Sequence, residues 1–336
     1  MISLAEAYKD YFLIGAAVGP GSLKSHEKLI VKHFNCITAE NAMKPASIRP
    51  SATEFDFTVA DKLISFAKSH KMKVRGHTLV WHASTPDWFF EENGEPLGRE
   101  EVIKRMENHI ANTVGHFKGD VIAWDVVNEG LADSYWEEIK IPMEDNVFYR
   151  RNQWYNAIGE DYIALAFRAA HKADPDCALF YNDFNDAEPI KSRRIYELVK
   201  SLKADKVPVH GIGMQGHYNI YIPTPDQVAE AIELYASLDV DIQVTELDFS
   251  LFMQEDGTAF DAPPAELLEK QAERYGELFA VFRKYKKYIS CVTMWGISDA
   301  TTWLSNDPFK GRKNWPLLFD DNQQPKDSFY RVAEFL

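Results

Sequence analysis

Cysteine is scarce in this sequence: Cys36, Cys177 and Cys291 stand far apart along a chain of 336 residues. No Cys-x-x-Cys pair occurs. Each is embedded in a predicted apolar strand, as a small buried core residue, so no disulfide framework is expected. Basic residues are outnumbered, 37 against 51 acidic, and the net charge of -14 would repel nucleic acid or anionic lipid. Apolar runs of the roughly 18 residues that a membrane helix needs are missing. The first ten residues, Met1 to Asp10, carry acidic side chains and no continuous apolar segment of the kind an export signal requires. The expectation is a chain that stays in the cytoplasm. Linkers of low complexity, internal repeats and shifts of composition are absent as well, which predicts one large domain over residues 1–336.

Missing motifs exclude several chemistries. There is no His-Glu-x-x-His, acidic calcium loop, P-loop or Gly-x-Ser-x-Gly, so no metal and no cofactor is expected. Gly211-Ile212-Gly213-Met214-Gln215-Gly216 fits the dinucleotide fingerprint, but it runs into Tyr218-Asn219-Ile220-Tyr221-Ile222-Pro223. That continuation opens no helix on which a pyrophosphate could sit.

Aromatic residues, by contrast, are plentiful at 13%, with 8 Trp and 15 Tyr. Core packing accounts for most such side chains, and a stack of Trp and Tyr in a cleft also suits the flat apolar faces of sugars. Two stretches drive apolar runs into a carboxylate. Trp124-Asp125-Val126-Val127-Asn128-Glu129-Gly130 reads as a strand that leaves Glu129 at its C-terminal tip, with Gly130 allowing a sharp exit. In Asp241-Ile242-Gln243-Val244-Thr245-Glu246-Leu247-Asp248 the alternation puts Ile242, Val244, Glu246 and Asp248 on one face.

Further apolar runs predict strands near residues 12–18, 35–40, 72–81, 178–183, 209–217 and 291–296, eight strands in all with these two. Helical patterns lie between them, as in Val59 to His70 and Tyr162 to Lys172, and Ser328 to Leu336 reads as a closing helix. Eight such units predict an α/β (β/α)₈ barrel with its active site at the C-terminal ends of the strands. Glu129 and Glu246 then end strands four and seven, which face each other across the barrel mouth. Polar insertions at Leu131 to Trp154, Phe249 to Pro264 and Ile297 to Leu317 would crown that end.

Other strand tips carry polar blocks too. Glu40-Asn41-Ala42-Met43-Lys44 stands at the end of strand two, His77-Thr78-Leu79-Val80-Trp81-His82 at the end of strand three, Gln215 and His217 end strand six, and Trp295, followed by Trp303, ends strand eight. Taken alone, Asn41 and Lys44 would be a helix cap and a solvated lysine, and His77 with His82 two core histidines. Together with Trp124 to Glu129 and Val244 to Asp248, these blocks closely resemble those of the family 10 glycoside hydrolases, the endo-β-1,4-xylanases, over strands one to eight. The resemblance implies that Glu129 is the acid/base and Glu246 the nucleophile of a retaining glycosidase. It also implies that Glu40, Asn41, Lys44, His77, Trp81 and Asn128 line the sugar sites, with Gln215, Trp295 and Trp303 supporting or roofing them. The pattern departs at Ala83-Ser84, where a glutamine is common.

The chemistry fits those roles. A retaining site needs two carboxyls close together, one protonated and one ionised. His217 is the candidate partner that keeps Glu246 charged, with Asp248 orienting it. When Glu246 becomes an ester its charge is spent, and Glu129 is released to act as base toward water. Xylan or xylo-oligosaccharide is the implied substrate. Two rival readings remain at this point: a barrel glycosidase acting on β-glucan or mannan, and a sugar-binding protein that has lost catalysis.

Overall fold

The computed structural model describes residues 2–133 and 148–335. The barrel strands are β1 (Leu13–Val18), β2 (Cys36–Ala39), β3 (Lys73–Trp81), β4 (Ala123–Asn128), β5 (Ala178–Asp183), β6 (Gly211–Met214), β7 (Asp241–Ser250) and β8 (Ile289–Met294). Each pairs in parallel with the next, and β8 pairs with both β7 and β1, which closes the sheet. Parallel neighbours require long crossovers. These run through α1 (Glu27–His33), α2 (Thr58–Ser69), α3 (Arg99–His116), α4 (Tyr162–Ala173), α5 (Pro189–Ala204), α6 (Pro225–Ala236) and α7 (Ala265–Lys284), with α8 (Asp327–Ala333) closing the ring. The result is the expected (β/α)₈ barrel.

Burial follows from that layering. All four residues of β2, Cys-Ile-Thr-Ala, are buried because helices cover the outside and side chains fill the inside. In α2 the apolar positions Ala60, Leu63, Ile64 and Ala67 recur at the helical period and face the sheet, while Asp61, Lys62, Ser65 and Lys68 are exposed. Each such buried Leu or Ile contributes about 1.5–3 kcal/mol. Thr224 and Gln227 form a reciprocal capping box that starts α6, with Pro225 at its first position. That helix begins well after Gly216, so the glycine-rich stretch opens no phosphate site. Its glycines instead leave room inside the barrel: a Cβ at Gly211 would lie 2.1 Å from the Phe180 ring, and one at Gly213 2.2 Å from Asn182 Oδ1.

Several expectations need correcting. The strict alternation predicted for β7 does not hold, because Gln243 and Thr245 reach inward as well as Glu246: Arg75 Nε donates to Gln243 Oε1, and Thr245 Oγ1 donates to Asn182 Oδ1 at 2.7 Å. The β7–β8 register shifts between Val244 and Leu247, and such an irregularity re-aims the following side chain. Strand β8 ends at Met294, two residues early, since Gly296 takes φ 137° and turns the chain under Leu317. Cys177 precedes β5 rather than lying in it; all three cysteines are buried and free. Of the insertion at Leu131 to Trp154, positions 134–147 lie outside the described residues. The other two insertions meet in a small apolar cluster of Ile220, Leu251, Phe252 and Trp315 over the C-terminal end of the barrel. Among the described residues no helix is long and apolar enough to cross a membrane, and no group of three or more His, Cys, Asp and Glu is arranged to hold a metal ion.

Candidate active site

The floor of the barrel mouth is an ion pair. Arg75 on β3 and Asp125 on β4 are both fully buried, with Nη2 donating to Oδ1 at 2.7 Å and Nη1 to Oδ2 at 3.2 Å. Burial by itself would raise the Asp125 pKa, but Arg75 and His77 outweigh it and hold the carboxyl below its ordinary value. His77 Nδ1 lies 3.0 Å from Asp125 Oδ2, which fixes the ring at the level of the next layer. From there the same nitrogen is 3.8 Å from Glu246 Oε1.

Glu246 is 4% exposed and its two oxygens have separate partners. Asn182 Nδ2, at the tip of β5, donates to Oε1 at 2.8 Å, and His217 Nε2 lies 3.2 Å from Oε2. Burial pushes the Glu246 pKa up, yet His77 and His217 prevail and it falls below the ordinary glutamate value. For His217 burial opposes charge, but Asp248 and Glu246 raise its pKa to about 10, so the imidazolium persists at neutral pH. Asp248 Oδ2 is 3.1 Å from His217 Nδ1 and accepts the Trp303 indole N–H at 2.9 Å. Glu246, His217 and Asp248 thus form a row of alternating charge.

Glu129 follows β4 directly and is half-buried, with φ 58° in the left-handed region. Its Oε1 accepts from Asn128 Nδ2 and from Gln215 Nε2, both at 3.1 Å. Gln215 Nε2 also donates to Asn128 Oδ1 at 3.1 Å, and that oxygen accepts Asn182 Nδ2 at 2.8 Å. A continuous line of amides therefore joins the two carboxylates through Gln215, Asn128 and Asn182. Convergence of Glu129 and Glu246 is met geometrically, and the β3–β4 and β4–β5 registers are both irregular beside this point, which lets Asp125 and Asn128 serve the same interior.

The remaining candidates form the walls. Lys44 is neither solvated nor free: it is 9% exposed, donates to Asn41 Oδ1 at 2.9 Å and lies 4.7 Å from the centre of the Trp81 ring. Burial lowers its pKa while Glu246, Glu40 and Glu129 pull upward, so the ammonium feels all three carboxylates. Asn41 caps no helix, since Lys44 occupies the N-cap of the short helix Pro45–Ile48 without a side-chain bond. Burial raises the Glu40 pKa against Lys44 and Asn41. Trp295 packs edge-on to His77 at 5.2 Å, and Trp303 edge-on to His217 at 4.9 Å, giving the opposite side an aromatic rim. His82 stands apart from His77; burial first, then Arg150, lowers its pKa to about 4.

Sequence reasoning overlooked Asn182, Arg75 and Asp125. Asn182 was findable, because Tyr181-Asn182-Asp183 ends β5 with polar residues as the other tips do. Arg75 and Asp125 carry no such mark within their apolar runs.

A parallel barrel whose mouth holds a charge-locked buried glutamate and a second glutamate tied to it by amides, within a rim of tryptophans, belongs to the glycoside hydrolases. The family model for glycosyl hydrolase family 10 matches residues 3–335. Endo-1,4-beta-xylanase B of Paenibacillus barcinonensis is 47% identical over 98% of this chain and 97% of its own length. Endo-1,4-beta-xylanase of Geobacillus stearothermophilus is 45% identical over 98% of each. The crystal structure of xylanase XynB from Paenibacillus barcinonensis, complexed with a conduramine derivative, superposes with a TM-score of 0.95 at 46% identity, covering 99% of this chain and 98% of that one. The chain belongs to glycosyl hydrolase family 10.

Proposed function

We propose that this chain, as one catalytic barrel over residues 1–336, is a retaining endo-1,4-β-xylanase acting on xylan and xylo-oligosaccharides. The observation that carries the assignment of roles is the asymmetry between the two glutamates: Glu246 is buried between two histidines and an amide donor, whereas Glu129 is half-exposed and, among the described residues, accepts its side-chain hydrogen bonds from two amides. A glutamate kept ionised in a dry site suits nucleophilic attack. In the first step a Glu246 oxygen bonds to the anomeric carbon, the glycosidic C–O bond breaks, and Glu129 gives its proton to the departing oxygen. In the second, Glu129 takes a proton from water, the water oxygen bonds to the anomeric carbon, and Glu246 leaves as carboxylate. His217 and Asp248 stabilise the charge that Glu246 loses and regains. Glu40, Asn41, Lys44, His77, Asn128 and Gln215 offer hydrogen bonds to sugar hydroxyls, and Trp81, Trp295 and Trp303 offer apolar faces. The three free cysteines are in keeping with a reducing compartment, and the reading extends to work in the cytoplasm on imported short oligosaccharides.

Leaving-group chemistry tests the two roles separately. A nitrophenolate departs without a proton, so Glu129→Ala should nearly abolish xylan hydrolysis while sparing the first step on a dinitrophenyl xylobioside. The esterified Glu246 should then accumulate as a burst of phenolate, and azide, which needs no deprotonation, should restore turnover with a β-azide product. Glu246→Ala should show no burst on either substrate. Like behaviour of the two variants, or an α-azide product, would reverse or discard the assignment.

A further inference from the structure

Strand β5 serves both glutamates, one from each of its faces. Its inward residue Asn182 holds Glu246, while Tyr181 and Asp183, one position to either side, point away from the barrel interior by the alternation of a strand. Behind the sheet they meet the start of α5. Tyr181 Oη donates to Asp183 Oδ2 at 2.5 Å, and Asp183 Oδ1 pairs with Lys191 Nζ at 3.0 Å, all three side chains fully buried. Among the described residues none of these three side chains bonds to a side chain of the mouth. Tyr181 and Lys191 reach the turn that follows Glu129, and Asp183 joins the two.

That turn needs holding, because a non-glycine residue in the left-handed region is disfavoured and persists where its surroundings impose it. Glu129 N–H continues the sheet by donating to Asn182 O at 2.9 Å. The next N–H, that of Gly130, donates to Tyr181 Oη at 3.1 Å, Gly130 O accepts from Arg150 N–H at 3.0 Å, and the carbonyl after that, Leu131 O, accepts from Lys191 Nζ at 3.3 Å. Arg150 Nε donates to Glu129 O at 3.1 Å from the outer side. The space is also closed, since a Cβ at Gly130 would come within 2.8 Å of Tyr162 Oη. A buried lysine is costly unless paired and hydrogen-bonded. Here one N–H is directed at Asp183 and another at Leu131 O, and Asp183 in turn orients the Tyr181 hydroxyl so that its oxygen faces Gly130 N–H.

We propose that Tyr181, Asp183 and Lys191 are positioning residues for Glu129, clamping the backbone of residues 129–131 so that the carboxyl is presented to the departing glycosidic oxygen. The proposal rests on the acid/base reading of Glu129. It is distinct from general support of the fold, since a misplaced proton donor harms only the bonds that need one. Proton transfer depends steeply on placement, a displacement of about 1 Å costing up to a hundredfold.

Tyr181→Phe removes the hydroxyl and keeps the ring. For this variant kcat/KM on xylotriose is expected to fall roughly ten- to a hundredfold, while kcat/KM on a 2,4-dinitrophenyl xylobioside stays within about twofold of wild type. On the activated substrate kcat and KM should fall together, because the second step still needs the base and the ester accumulates. Equal losses on both substrates, or no loss on either, overturn the proposal. Lys191→Met carries the same readout if Tyr181→Phe does not fold, and failure of both to fold assigns the cluster to stability and overturns it too. Glu129→Ala run alongside separates the two levels. If it lacks the leaving-group dependence the acid/base reading itself falls, and if it has the dependence and Tyr181→Phe does not, the clamp alone is refuted.

Discussion

Replacing His217 by glutamine removes a positive charge 3.2 Å from Glu246 Oε2 while keeping an N–H donor of similar reach. Two unit charges about 4 Å apart at an effective dielectric near 20 interact by about 4 kcal/mol, which at roughly 1.4 kcal/mol per pH unit bounds the effect at about three units. His77 and Asn182 stay in place beside Glu246, so the expected rise in its pKa is about one to three units. The sign follows from the wild-type state: Glu246 has a depressed pKa, its carboxylate survives to low pH, and loss of the cation makes protonation easier. The acidic limb of kcat/KM should therefore move to higher pH. A dinitrophenyl xylobioside is the substrate of choice, because its leaving group needs no acid and the limb reports the nucleophile. Stability gives a second readout from the same protein. With a folded pKa of about 10 against 6.5 in the unfolded chain, His217 contributes stability that is fully present below pH 6.5 and lost as pH rises toward 10. The glutamine variant should lack that decline in urea melts. An acidic limb that stays put or moves downward would refute the charge pairing on which this reasoning depends.

Xylose should be preferred over glucose next to the cut, because Trp295 is wedged on His77 and Trp303 is pinned by Asp248, so neither can swing aside for a hydroxymethyl group. Matched aryl xylobiosides and cellobiosides are expected to differ by at least roughly tenfold in kcat/KM, and a preference for the cellobioside would overturn the steric argument. Fractionation of the native host should recover the activity with the cytoplasm; activity in the medium would contradict the proposed site of action.

Much of this enzyme is legible along the chain because its signals are local. Strand and helix periods need a window of a few residues, and eight alternations of the two leave few folds open. Glu129 could be placed at a strand tip for the same reason, since an apolar run that stops in a carboxylate is visible within seven residues; Glu246 was expected to end its strand too, but β7 runs on to Ser250. Chain-local patterns do not reach further. The pairing of Arg75 with Asp125 joins positions on separate strands, and in the sequence each is a charge inside an apolar run that could as well have argued against burial. The alternation along β7 misplaced Gln243 and Thr245 because a register shift depends on how the neighbouring strand is paired, a property of two strands and not of one. Taken alone Lys44 read as a solvated lysine, and its place beside Trp81 and within the field of three carboxylates exists only in the fold. Tertiary structure alone decided that Asn182 and Gln215 would connect the glutamates, and that the back of β5 would clamp the turn at Glu129, because hydrogen bonds over such separations exist only once the barrel has closed.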